Sequence, residues 1–189
     1  MAESKFYFQG TSSRTSAVAL DWLLTWPSAQ AITLATTSVN LAGVRLLDKS
    51  LQAAASKTTV ICGIRNGQTT YQGLRRLVEL GIMVFLIDTG TTKRIYHPKL
   101  YLADTGKAAR LLIGSSNLTL AGLQQNLEVG IEMNLDRRQA DDAALLQKIQ
   151  EQFAGLLQLG GPLVTKVTNL AELDNVRADG ALADEPGQS

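Results

Sequence analysis

Short apolar runs alternate with longer amphipathic segments through the first half of the chain. The runs at 31–37, 58–64 and 82–88 are rich in β-branched residues and bounded by turn residues, which is typical of strands buried on both faces of a parallel sheet. Segments 40–55 and 69–81 carry apolar residues at three- and four-residue spacing. This spacing predicts helices that cross over between the parallel strands.

The pattern changes in the second half. Residues 99–104 and 110–115 are apolar runs on either side of a short turn, which predicts a β-hairpin. Residues 126–135 predict one more strand, and 137–158 predict a long amphipathic helix. Together the elements indicate an α/β fold, a single domain with a mixed β-sheet flanked by helices on both faces.

The two ends of the chain differ from this central region. Residues 1–13 end near YFQG and resemble the remnant of a cleavable expression tag, so the single domain is predicted to span 14–159. Residues 160–189 contain few large apolar side chains, which favours a linker or flexible tail. Such a tail would lead to a further domain outside this chain.

Composition narrows the class of protein. Hydrophobic residues make up 45% of the chain, and 18 basic side chains against 17 acidic ones give a net charge of +1. No global cationic field therefore attracts nucleic acid, and a DNA partner would need a local basic patch. The single cysteine, Cys62, excludes an internal disulfide, and no apolar run is long enough for a membrane span. We expect a cytoplasmic protein with no membrane partner.

Three pairs of polar residues, each two positions apart, lie at the ends of neighbouring predicted strands. Side chains two apart leave the same face of a sheet, so all three pairs should meet in one place. Ammonium and amide groups donate to phosphate oxygens, an imidazole can attack phosphorus or protonate a leaving oxygen, and a carboxylate can hold the imidazole. The pairs are His97 and Lys99, Ser115 and Asn117, and Asn126 and Glu128.

The segment HPKLYLAD…IGSSNLTLAGLQQNLEVGIEM resembles the HKD motif of the phospholipase D superfamily, H-x-K-x4-D followed by G-S-x-N and a later acid. The similarity extends over about residues 31–155, and the nine residues between the motif aspartate and glycine should only lengthen the hairpin. The motif positions are filled by His97, Lys99, Asp104, Gly114, Ser115, Asn117 and Glu128.

The resemblance implies a two-step displacement at phosphorus that uses no metal and no cofactor. One histidine forms a phosphohistidine, a second protonates the leaving oxygen, and water then releases the phosphate. The chain has one histidine, so the resemblance implies a homodimer in which each subunit supplies His97 to a shared pocket. Glu128 would raise the pKa of a paired imidazole and Lys99 would lower it.

Other charged residues have two interpretations. Lys93, Arg94 and Arg65 are placed where a phosphate backbone could pass, but they could equally be solvated surface. Asp104 alternates out of the site and is interpreted as structural.

Three functions remain open at this stage. The compact single-motif pattern resembles bacterial nucleases, so we expect a DNA endonuclease of restriction or defence type, with a fused or associated DNA-recognition or helicase domain. A phospholipase or other small-phosphodiester hydrolase is the first alternative. A non-catalytic dimerisation module is the second.

Overall fold

Eight strands form one mixed sheet in the part of the chain that the structure, a computed structural model, describes, residues 3–185. The sheet order is β1-β7-β6-β5-β2-β3-β4-β8. Strands β2, β3 and β4 are parallel, and every other neighbouring pair is antiparallel. The strands are β1 (Glu3–Gln9), β2 (Ala31–Thr36), β3 (Thr58–Gly63), β4 (Met83–Ile87), β5 (Lys99–Asp104), β6 (Ala108–Gly114), β7 (Glu128–Asp136) and β8 (Val164–Val167).

Helices cover both faces of this sheet. Five of them pack over a large apolar core on one face, where Leu20, Leu51 and Leu74 are fully buried. The long α5 packs on the other face through two smaller clusters around Leu146 and Phe153. The helices are α1 (Ser16–Leu24), α2 (Leu41–Leu46), α3 (Asp48–Ala54), α4 (Tyr71–Glu79), α5 (Ala140–Gln158) and α6 (Leu170–Ala178).

The predicted mixed α/β fold is confirmed, with two differences inside the domain. The helix predicted over 40–55 is divided at Leu47, whose backbone angles (φ −109°, ψ 12°) interrupt the helical run. Helix α1 was not predicted, because its sequence SAVALDWLL is apolar around most of its circumference and shows no clear stripe. Cys62 is buried, and burial raises the pKa of its thiol to about 12.

The opening residues are part of the sheet, which corrects their exclusion from the fold. Strand β1 pairs antiparallel with β7 from Glu3 opposite Asn134 to Gln9 opposite Glu128. Tyr7 and Gln9 are buried. That 1–13 derive from an expression tag stays a prediction. Glu3–Gln9 form a strand of the sheet, and residues 1–2 lie outside the described residues.

Residues 164–185 are also structured, so the predicted flexible tail is wrong for this stretch. Strand β8 pairs with the outer side of β4, and Val167 and Leu173 are fully buried in the main core. The chain then returns to α4, where Ala183 exchanges backbone hydrogen bonds with the Thr69–Tyr71 segment. The low average hydropathy of this region concealed a few well-spaced apolar residues. Residues 186–189 of the predicted tail lie outside the described residues.

Among the helices of residues 3–185, none combines the length and apolar character that crossing a membrane requires.

Candidate active site

The candidate site lies where β5 begins, β6 ends and β7 begins. The hairpin register pairs Leu100 with Ile113, and the next pair of strands places Gly114 opposite Gly130. These antiparallel pairings place the three strand ends side by side at one end of the strands. The turn that carries the extra hairpin residues, 105–107, is at the opposite edge, as the sequence predicted.

His97 and Lys99 meet as their spacing predicted. Lys99 Nζ lies 3.1 Å from both Nδ1 and Nε2 of His97, and it donates to Thr37 Oγ1 at 3.0 Å. His97 is exposed, whereas Lys99 is half-buried. The imidazole is thus open to a substrate while the ammonium is fixed behind it.

Burial lowers the pKa of Lys99, and the nearby charge of Glu128 opposes that shift. Desolvation disfavours the charged form of an amine, whereas an anion favours it. A bound phosphate would act in the same direction as Glu128. The site is therefore arranged so that an anionic substrate stabilises the protonated lysine.

Ser115, Glu128 and Asn126 form a second group. Ser115 Oγ donates to Glu128 Oε2 and accepts from the backbone N–H of Val129 at 3.1 Å. Asn126 Nδ2 donates to Glu128 Oε1 at 3.1 Å. Glu128 is buried, while Ser115 and Asn126 are exposed. Both oxygens of the carboxylate are therefore held by neighbours that themselves face solvent.

One expected contact is absent within the chain. The sequence suggested that Glu128 holds the imidazole of His97, but among the described residues both of its oxygens bond to Ser115 and Asn126. The ring nitrogens of His97 face Lys99 instead. Glu128 is thus close to the site without contacting the imidazole of its own chain.

Thr36 is a supporting residue that sequence reasoning missed. Its Oγ1 accepts from the backbone N–H of Leu118 at 3.2 Å and lies 3.4 Å from Asn117 Oδ1. Because the amide oxygen faces this hydroxyl, the NH2 group of Asn117 is the part able to donate to an anion. Tyr101, beneath it, donates to the carbonyl of Ser116 at 2.7 Å.

The N-terminal strand supports the same loop from the other side. Gln9 Nε2 donates to the carbonyls of Gly122 and Asn126, at 3.1 and 2.8 Å. Tyr7 donates to Ser16, whose Oγ lies 2.6 Å from Ser116 Oγ. Side chains from the first sixteen residues therefore hold the segment that carries Asn117 and Asn126. Tyr7 and Gln9 fall in the stretch interpreted as a tag, which is why sequence reasoning could not find them.

A close backbone contact explains why the motif position 114 is a glycine. A Cβ added to Gly114 would lie 2.3 Å from the carbonyl oxygen of Val129, which is backbone and cannot move aside. This close approach lets β6 continue against β7 up to Ser115, whose N–H donates to the same carbonyl at 3.0 Å.

The basic candidates outside the motif have different surroundings. Arg65 is bound to Asp88 through Nε and Nη2 at 2.8–3.2 Å, with its backbone in the left-handed region at φ +58°. This ion pair lowers the pKa of Asp88, and that Arg65 binds substrate stays a prediction. Lys93 and Arg94 are exposed in the loop that leads to His97.

Asp104 has the structural role expected of it. Its carboxylate accepts from Arg137 Nη2 at 2.5 Å and from Gln150 Nε2 at 2.8 Å. This network joins the far end of the hairpin to α5, away from the site.

Over residues 3–185, no three His, Cys, Asp or Glu side chains cluster closely enough to ligate a metal ion. The strand ends carry an ammonium, an imidazole, amides and a hydroxyl, together with one buried carboxylate, that of Glu128, whose oxygens bond to Ser115 and Asn126. Such donors suit a phosphate anion.

Comparison with protein families gives one match. The family described as "Cardiolipin synthase, PLD-like domain" matches residues 29–157, well over half of the chain. The chain belongs to the phospholipase D superfamily. It is a phosphodiesterase of the phospholipase D type. Comparison with curated proteins finds no match.

Solved structures share the fold of this phospholipase D domain. NucT from Helicobacter pylori has a TM-score of 0.60 at 16% identity, with 84% of this chain and 97% of NucT covered. Nuc from Salmonella typhimurium, a phospholipase D family member, has a TM-score of 0.56 at 14% identity, with 80% and 95% covered. Phosphatidylserine synthase from Haemophilus influenzae has a TM-score of 0.62 at 16% identity, with 95% and 47% covered.

Thr37→Val tests whether the buried hydroxyl beneath Lys99 positions its ammonium. Removing an acceptor that favours the charged amine should lower kcat about tenfold, since hydrogen bonds to charged groups contribute about 1.5–3 kcal/mol. It should also move the alkaline limb of the pH–rate profile to lower pH, because the pKa of Lys99 falls further. The same change at Thr33, which pairs with Leu102 away from the site, is the control. An unchanged alkaline limb would rule out the positioning role.

Proposed function

We propose that this phospholipase D domain is a metal-independent DNA endonuclease whose active site is shared between two copies of the chain. One observation carries the proposal: His97, the only histidine in 189 residues, is exposed beside the half-buried ammonium of Lys99, at the strand ends that also carry Asn117 and Asn126. A displacement through a phosphohistidine needs a nucleophile and a separate acid. A second copy supplies the second imidazole.

The residues of one chain have separate roles in the proposed reaction. His97 attacks phosphorus in one subunit and protonates the leaving oxygen from the other. Lys99, Asn117 and Asn126 donate to the non-bridging oxygens, where negative charge increases in the transition state. Ser115 orients the carboxylate of Glu128.

Glu128 has a specific part in this proposal. Its carboxylate is buried at the site edge but bonds to Ser115 and Asn126 rather than to His97 of the same chain. We propose that it pairs with His97 of the partner subunit. An imidazole beside a carboxylate holds its proton more strongly, so the two rings can differ in protonation state.

Chain size and local charge favour DNA as the substrate. The chain covers 97% of NucT and 95% of Nuc but only 47% of phosphatidylserine synthase, so its size is that of the two compact chains. Lys93 and Arg94 lie exposed on the loop that leads to His97, where a phosphate backbone flanking the cleaved bond would pass. Because the net charge of the chain is only +1, this local basic patch is what would attract DNA.

The direct test is cleavage of supercoiled plasmid DNA in excess EDTA. We expect nicking to continue at its full rate, because Lys99 and the amides supply the positive charge and donors that a metal would otherwise provide. A vesicle of phosphatidylcholine and phosphatidylglycerol serves as the lipid substrate in parallel. Hydrolysis of the lipid without DNA cleavage would replace the nuclease by a phospholipase, and strict dependence on Mg²⁺ would contradict the mechanism.

A further inference from the structure

Gln68 is an exposed side chain that has no part in the reaction proposed above. It follows β3, in the turn that leads into α4. Its Oε1 accepts a hydrogen bond from Ser38 Oγ at 3.2 Å, and Ser38 is fully buried. Because the amide oxygen is bound to the protein, the NH2 group is directed away from it. Within residues 3–185 no group accepts a hydrogen bond from this NH2 group, so it is free to donate to a ligand.

The backbone of Gln68 is held in place by the side chain of Asn66. Asn66 Oδ1 accepts from the backbone N–H groups of Gln68 and Thr69, both at 2.9 Å. Asn66 Nδ2 donates to the carbonyl of Thr37 at 2.8 Å and to that of Gly63 at 3.1 Å. The turn is therefore fastened both to the end of β3 and to the segment that follows β2. A donor on such a turn is positioned before any ligand binds.

The segment that holds Gln68 also holds the lysine of the candidate site. Lys99 Nζ donates to Thr37 Oγ1 at 3.0 Å, and Thr37 precedes Ser38 in the chain. Consecutive Cα atoms are about 3.8 Å apart. The NH2 group of Gln68 thus lies beside the phosphate site without being one of the groups at the strand ends of that site.

The order of the strands places Gln68 on one particular side of Lys99. Strand β5, which begins at Lys99, has β6 and β7 on one side and β2 and β3 on the other. Ser115 and Glu128 are at the ends of β6 and β7, whereas Gln68 follows β3. Neighbouring strands are about 4.8 Å apart. A polymer bound at Lys99 that extends over the ends of β2 and β3 would therefore pass Gln68.

We propose that Gln68 binds a phosphate of the polynucleotide next to the one that is cleaved. This inference rests on the proposed function, because it requires a substrate with neighbouring phosphates. Glutamine side chains contact phosphate oxygens in protein–DNA complexes, and such contacts fix the register of the nucleic acid. Consecutive phosphates of one B-form strand advance about 3.4 Å along the axis. A donor a few ångströms beyond Lys99 is thus placed for a neighbouring phosphate, and Gln68 positions the substrate without acting on the bond that breaks.

Gln68→Ala tests this contact when two substrates are compared. One substrate is duplex DNA, and the other is bis(4-nitrophenyl) phosphate, a phosphodiester that has no neighbouring phosphate. The KM for DNA should rise about tenfold or more with kcat almost unchanged, because a hydrogen bond to a charged oxygen is lost. Hydrolysis of bis(4-nitrophenyl) phosphate should continue at the wild-type rate, because the groups at the strand ends are unaltered.

Gln68→Glu and Gln52→Glu form a matched pair of charge changes. Gln68→Glu keeps the size of the side chain and the acceptor for Ser38, but it replaces the donor by a negative charge. The KM for DNA should therefore rise more than in Gln68→Ala. Gln52 is exposed on α3, which leads to the start of β3 and not to its end, so Gln52→Glu should keep the wild-type KM. An equal rise in both glutamate variants would assign the effect to net charge and overturn the contact.

The remaining outcomes separate this inference from the proposed function. A folded Gln68→Ala protein with an unchanged KM for DNA overturns the inference. An equal loss on both substrates also overturns it, since Gln68 would then act on the reacting groups through Ser38. If the wild type cleaves no DNA, the nuclease is contradicted, and fluorescence anisotropy of a labelled duplex with the His97→Ala protein tests the contact by itself. A Kd that rises about tenfold on adding Gln68→Ala supports the contact, and an unchanged Kd or no binding overturns it.

Discussion

Replacing His97 by alanine is expected to reduce DNA cleavage by about four orders of magnitude or more. In a shared pocket the change removes the nucleophile of one subunit and the acid of the other at the same time. The measurement is single-turnover cleavage of a labelled duplex in EDTA. Unlike most core substitutions, this one should leave the free energy of unfolding almost unchanged, because the exposed imidazole fills no cavity.

The control for His97→Ala is the melting temperature together with sedimentation. A folded, dimeric and inactive variant assigns the loss to chemistry. If cleavage falls less than about tenfold, His97 does not act as nucleophile or acid, and the assignment of the site fails.

Deleting residues 1–13 is expected to lower the free energy of unfolding by about 4–9 kcal/mol and to abolish measurable activity. Burial of Tyr7 contributes about 2–3 kcal/mol. Each backbone carbonyl that loses its hydrogen bond from Gln9 and stays buried lowers the stability by about 1–3 kcal/mol. The deletion also exposes the edge of β7, which raises the tendency to aggregate. Urea denaturation monitored by circular dichroism measures the stability.

Gln9→Ala separates the support of the loop from the loss of a strand. The variant keeps β1 but removes the hydrogen bonds to Gly122 and Asn126, so kcat should fall while the fold persists. Lys5→Ala, exposed on the same strand, is the control and should have no effect. A 1–13 deletion with wild-type stability and activity would mean that the opening residues are dispensable, as a tag would be.

The central fold could be predicted because its signals are local. Buried parallel strands give short β-branched runs, and crossover helices give stripes at helical spacing, so β2, β3 and β4 and the helices between them were identified. The ends could not be predicted this way. β8 is four residues long and α6 buries two side chains, Leu173 and Val176, so their stability comes from packing against α4 and β4.

The sequence predicted those parts of the site that depend on the spacing of residues along one strand. Residues two apart on adjacent strand ends met as expected, as His97 and Lys99 show. The supporting residues Thr37 and Gln9 reach the site from 62 and 117 positions away along the chain, and no local pattern connects such partners. The salt bridge of Arg65 was missed for the same reason, since Asp88 directly follows the next parallel strand, 23 positions along the chain.

A purified heterodimer of wild-type and His97→Ala subunits tests the shared site most directly. Two affinity tags on co-expressed chains allow the mixed species to be isolated, and its cleavage rate is compared with both homodimers. A pocket built from two subunits has either a nucleophile or an acid in this species, so its rate should be close to that of the double mutant. A heterodimer that keeps about half of the wild-type rate would show that each subunit owns a complete site, and would contradict the account.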